Sequence, residues 1–70
     1  MRKMISAARR AVRDYASAQG VAKSTFDNTP LHYSAADLVS GLMLLAKKEG
    51  LNFDQILKDA KEVFSDEVKA

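Results

Sequence analysis

Five basic side chains near the start of the chain form its clearest chemical signal. When residues 2–18 are placed on a helix at about 100° per residue, these side chains lie opposite the apolar positions, and Asp14 is the only acid among them. Guanidinium groups bind carboxylates and phosphates through two donors at once. This basic face therefore predicts an anionic partner, either nucleic acid or an acidic protein. It consists of Arg2, Lys3, Arg9, Arg10 and Arg13.

Two other interpretations of the basic face stay open. Charged helix faces are commonly solvated surface, and a basic amphipathic helix can also lie on an anionic membrane. The membrane interpretation is the weaker one, because the apolar side of this segment is rich in alanine and lacks the Trp, Phe and Leu that anchor such helices. The charge is uneven along the chain: residues 1–33 carry six bases and two acids, whereas residues 34–70 carry five bases and seven acids.

Three acids toward the end of the chain share one side of a predicted helix. Asp59, Glu62 and Asp66 stand at i, i+3 and i+7, a spacing that could present carboxylates to Mg²⁺. They face away from the apolar stripe and have Lys58 nearby, so we expect a solvated face. The absence of cysteine and the single histidine exclude the standard structural zinc sites. We therefore expect neither a metal nor a cofactor.

His32 would need a nucleophile or an orienting acid within hydrogen-bond reach to act in catalysis. Ser34, Asp27 and Asp37 are near in sequence, but the sequence alone does not place any of them beside the ring. The sequence contains no glycine-rich phosphate loop, no G-x-S-x-G and no H-E-x-x-H. We expect no catalytic residue and no enzymatic activity.

The elements that position these residues are three predicted helices in a single all-α domain spanning residues 1–70. The first covers Arg2 to Ala18 and is closed by Gly20. The second runs from Ser34, which forms a capping box with Asp37, to about Lys48. The third runs from Phe53 to about Val68. Asn52 is the expected N-cap of the third helix, and Gly50 ends the second. Because this joint is short, the last two helices are predicted to form an antiparallel αα-hairpin.

The connection from Gln19 to Tyr33 is longer than most links between helices. Its apolar residues predict that it lies against the body of the protein, with a short helical turn near Ala22 to Phe26. Asn28, Thr29 and Pro30 read as a turn that delays the second helix. A pocket under this connection would give a third class of function, the binding of a small ligand or nucleotide.

The second predicted helix has more apolar surface than one neighbour can bury. Its apolar residues cover an arc of about 160°, and Leu44 lies outside that arc. Either the long connection folds over Leu44 and Met43, or another protein chain covers them. Gly41 would permit a close helix approach at such an interface. Small helical chains often complete their cores by association, so we expect a homodimer.

Length and composition fit a small cytoplasmic protein. Seventy residues bury a limited core, and the absence of cysteine suits a reducing compartment. The apolar run within MRKMISAARR is too short for a secretory signal, and no stretch approaches the roughly 20 apolar residues of a membrane span.

The stretch beginning at Asp37, DLVSGLMLLAKKEGLNFDQILKDAKEVF, resembles the end of short helical proteins of unassigned role encoded by bacterial phages and plasmids. The shared pattern is an apolar helix, a Gly-Leu-(Asn/Asp)-Phe-Asp turn and an amphipathic helix. Here the turn is Gly50 to Asp54. The resemblance covers under half of the chain and implies an accessory role in a bacterial or phage setting. Some such proteins are grouped with helical nucleotide pyrophosphohydrolases, but the paired E-x-x-E acids of that activity are absent here.

The sequence therefore predicts a non-enzymatic helical interaction module that binds a protein partner. The predicted contacts are the apolar residues of the second helix and the charged residues of the first. The alternative is a nucleic-acid-binding accessory protein that uses the basic face, and a small-ligand binder is the third hypothesis.

Overall fold

The computed structural model describes the backbone of residues 2–69 and the side chains of residues 3–69. Its elements are α1 (Arg2–Ala18), α2 (Lys23–Asp27), α3 (Leu31–Glu49) and α4 (Phe53–Lys69). No strand occurs within residues 2–69, which confirms the all-α prediction. The count of three helices was too low, because the turn expected near Ala22 to Phe26 is a five-residue helix of its own.

The first helix ends where the sequence predicts. Gly20 has a φ of 83°, in the left-handed region that closes helices. Its amide donates to the Ser17 carbonyl at 2.9 Å, and the Val21 amide donates to the Ala16 carbonyl at 3.0 Å. These bonds satisfy carbonyls that the end of α1 would otherwise leave without a partner.

The predicted start of α3 was wrong by three residues. The helix begins at Leu31, directly after Pro30, rather than at Ser34. Proline fixes its own φ near the helical value and needs no amide partner, so it is well suited to the start of a helix. Ser34 is consequently buried inside the helix and does not form the predicted capping box with Asp37.

The joint between α3 and α4 agrees with the prediction. Gly50 has a φ of 70°, and the Leu51 amide donates to the Ala46 carbonyl at 2.8 Å. Asn52 Oδ1 then accepts a 3.1 Å hydrogen bond from the Gln55 amide. This is an N-cap interaction, which satisfies a free amide in the first turn of α4.

Packing in this structure is concentrated between α1 and α3. Val12 and Ala46 are the buried apolar residues of the described chain, and Ser34 is the buried polar one. No residue of α4 is buried, and α4 contacts α3 much less than α1 does. The expected short turn joins α3 and α4, but the mutual burial expected of a hairpin is missing.

The molecule is extended for its length. Its radius of gyration is 13.6 Å, whereas a compact domain of this length would have about 11 Å. Its accessible surface is 5979 Å², against about 4,300 Å² for a compact monomer of this mass. The isolated chain therefore exposes on the order of 1,700 Å² more surface than its size requires.

Candidate protein-interaction surface

Four consecutive large apolar residues near the end of α3 are all exposed. The exposed fractions are 46% for Leu42, 51% for Met43, 67% for Leu44 and 54% for Leu45. Successive helical residues are rotated by about 100°, so these four point to all sides of the helix. A helix segment that is apolar all round is normally enclosed by other protein. We call residues 42–45 the α3 collar.

The long connection does not cover the α3 collar. Between Gln19 and Tyr33 the chain forms α2, which contacts α1. Met43 and Leu44 remain exposed. The connection therefore does not fold over them in the isolated chain, which was one of the two expected ways to bury them.

Gly41 occupies the crossing of α1 and α3. It is half-buried, and a Cβ added there would lie 2.7 Å from Cζ of the Tyr15 ring. Real Cβ atoms do not approach so closely without movement of a neighbour. The close approach that Gly41 permits is therefore made within the chain.

The apolar side of α4 is exposed from Ile56 onward, whereas Phe53 at its start is half-buried. Its larger exposed members range from 42% exposed at Ile56 to 67% exposed at Phe64. The residues fall within an arc of about 140°, which is the pattern of a helix that packs on a neighbour. We call this set the α4 stripe. It comprises Phe53, Ile56, Leu57, Ala60, Val63, Phe64 and Val68.

The basic face of α1 is open to solvent where the structure describes it. Lys3, Arg9, Arg10 and Arg13 are exposed, and within residues 3–69 none of them is ion-paired with a carboxylate. The side chain of Arg2 lies outside the described residues. The face is therefore free to meet an anionic group of another molecule.

Lys23 adds to this basic surface, and sequence reasoning missed it. Arg9, Arg13 and Lys23 line one open cleft beside Phe26. The Lys23 Nζ is also 2.7 Å from an Asp27 carboxylate oxygen, an ion pair within α2. The sequence predicts a helical turn in this segment, and a helix restricts where the Lys23 side chain can lie. The position of Lys23 beside α1 depends on tertiary packing, which the sequence pattern does not show.

The remaining candidate residues do not converge on a reaction centre. His32 is exposed, and its ring meets the edge of Tyr33 with centroids 5.4 Å apart. Ser34 is buried and lies about 160° around the helix from His32. Asp59, Glu62 and Asp66 are exposed, and within the described part of the chain no three metal-binding side chains are grouped.

Two clefts along the connection differ in size. The one lined by Tyr15, Phe26, Thr29, Ser34 and Asp37, among others, measures about 150 Å³, below the roughly 300–1,000 Å³ that is usual for small-molecule pockets. The open cleft lined by Arg9, Arg13, Lys23 and Phe26 measures about 440 Å³. The binding of a small ligand along the connection stays a third hypothesis.

None of the helices in residues 2–69 combines the length and hydropathy needed to cross a membrane. No family model, curated protein or solved structure matches the chain. The physical character of its own surfaces is therefore what supports a function.

Proposed function

We propose that this chain is a non-enzymatic helical module that acts by binding a protein partner, with Met43 and Leu44 in the interface. The α3 collar is the observation that carries the proposal. Full burial of a large apolar side chain contributes about 1.5–3 kcal/mol relative to exposure. Four such residues at the end of one helix thus provide a strong driving force for association.

The shape of the α3 collar favours binding to a protein partner over binding to a membrane surface. A helix that lies on a bilayer presents its apolar residues to one side only. Residues 42–45 present theirs in four directions about 100° apart, so a flat surface would leave part of the collar in water. A protein can enclose it.

The basic face of α1 gives the encounter its charge preference. Arg9, Arg10 and Arg13 are exposed beside a surface that carries few acids, and such patches accelerate association with an acidic partner. The resemblance of residues 37–64 to short phage and plasmid proteins supports an accessory role in the bacterial cytoplasm. Regulation of another protein by direct contact fits that setting.

A retention experiment tests the proposal. The immobilised chain is exposed to extract of the organism that encodes it, with and without nuclease. The variants are Met43→Asp combined with Leu44→Asp, and Ala36→Asp as a control at an exposed position of the same helix, two turns before Met43. We expect the wild type and the control to retain the same protein, with or without nuclease, and the double variant to lose it. Equal retention by all three chains would contradict the proposal.

Nucleic-acid binding is a second candidate function, and the cleft favours it. Arg9 and Arg13 from α1 and Lys23 from α2 line the same opening. If about five phosphate contacts form on duplex DNA, log K falls against log salt concentration with a slope near −4.5. Charge reversal at Arg9, Arg10 and Arg13 is expected to abolish this binding. Affinity that is unchanged by the reversal would eliminate the candidate.

A further inference from the structure

Two apolar faces of the chain have similar lengths and are both largely exposed to solvent. The first is the α4 stripe. The second, which we call the α3 outer face, consists of Val39, Leu42 and Met43, spaced i, i+3 and i+4. Val39 and Met43 project about 160° away from Gly41. Since Gly41 faces Tyr15 of α1, α1 cannot cover this face.

Both faces are largely exposed within the chain. Ala46, one turn beyond Leu42 on the same side of α3, is buried, but Val39, Leu42 and Met43 are each about half exposed, and α4 buries no residue. Most of the stability of a helix in a protein comes from packing of its apolar side rather than from helix propensity. The α4 stripe therefore needs an apolar packing surface of about its own length. At 1.5 Å per residue, α3 and α4 are about 28 Å and 26 Å long.

We propose that the chain forms a two-fold homodimer in which the α4 stripe of each copy packs on the α3 outer face of the other. The dimer rests on the proposed function, because it names the partner that covers Val39, Leu42 and Met43 of α3. In this dimer the two copies exchange their α4 helices. Each α4 packs on α3 of the other copy, instead of on α3 of its own chain as in the hairpin that the sequence predicts. The short joint at Gly50 allows α4 to serve either chain, and the second copy supplies a face of the right length.

The excess accessible surface of the chain is large enough for the interface of a stable dimer. Each chain exposes on the order of 1,700 Å² beyond a compact monomer of its mass. Two copies that hide this excess would bury about 3,400 Å² in total, within the range of obligate homodimers. A short peptide on one helix face would leave most of the excess in water.

Symmetry favours the same arrangement. A two-fold axis makes both contacts at once and leaves no open end for further copies.

Cross-linking of single-cysteine chains tests the exchange, because the natural chain has no cysteine. Val39→Cys and Phe64→Cys place one thiol on each proposed face, at positions that meet when α4 runs antiparallel to α3. Asp37→Cys and Glu62→Cys are matched controls, two positions earlier and on the opposite side of each helix. Full-length chains are mixed in pairs, treated with a short bis-maleimide and separated under denaturing conditions.

We expect the Val39→Cys and Phe64→Cys pair to give several-fold more cross-linked product than a pair in which either chain is replaced by its control. Equal yields would overturn the exchange. Self-linking of Phe64→Cys alone at the yield of the mixed pair would overturn it too, because α4 would then pack on α4. Far-UV circular dichroism of each variant verifies that the helices are intact.

Sedimentation of the wild-type chain supports or overturns the dimer without any substitution. The expected result is twice the chain mass at micromolar concentration. If the wild type stays at the single-chain mass but still retains another protein through Met43 and Leu44, the dimer is wrong and the proposed function stands. If dimer formation and retention of another protein both fail, the proposed function is wrong as well.

Discussion

At the residue scale, one contact determines how α1 meets α3. The Tyr15 ring lies against Gly41, where any side chain would collide with it. Glycine within a helix costs about 1 kcal/mol relative to alanine. Its presence in the middle of α3 is thus explained by packing, since only a bare backbone leaves room for the ring.

Gly41→Ala is expected to destabilise the chain by about 0.5–2 kcal/mol. Overpacking typically costs about 1–3 kcal/mol, and the better helix propensity of alanine recovers up to about 1 kcal/mol. Urea unfolding measures the difference. In a Tyr15→Ala background the same substitution is expected to be neutral or stabilising, because the ring is gone. A Gly41→Ala chain more stable than the wild type would mean that the ring moves aside freely.

At the element scale, the ends of the helices could be predicted where a local rule decides them. Gly20, Gly50 and Asn52 act through hydrogen bonds to residues a few positions away, which a sequence displays directly. The start of α3 was predicted three residues too late, because Ser34 and Asp37 form the sequence pattern of a capping box. In the structure α3 starts directly after Pro30, and Ser34 is buried within it. That burial depends on tertiary contacts that local rules do not contain.

The cap of α4 provides a prediction at this scale. Asn52→Ala removes the acceptor of the Gln55 amide, and loss of such caps costs about 0.5–2 kcal/mol. We expect lower far-UV helicity and earlier urea unfolding. Asn52→Asp keeps an acceptor oxygen and is expected to behave like the wild type. An equal loss in both variants would show that the amide group of Asn52, rather than its acceptor, matters.

At the scale of the whole molecule, the candidate site was predictable in part. The excess of apolar residues at Met43 and Leu44 was visible in the sequence, because helical periodicity shows what one neighbour can bury. The exposure of the α4 stripe from Ile56 onward was not visible. Periodicity shows that a helix has an apolar side, but it does not identify the chain that covers that side.

If association covers the α4 stripe and the α3 outer face, the chain is a dimer in solution, and sedimentation equilibrium measures its mass. The wild type is expected at twice 7.7 kDa. Phe64→Gln removes one buried ring per chain, two per dimer, at about 1.5–3 kcal/mol each, so the dimer should weaken at least about 100-fold. Lys58→Gln, on the opposite side of α4, should leave the mass unchanged. A wild-type chain that sediments at the single-chain mass, indistinguishable from Phe64→Gln, would contradict the proposed dimer.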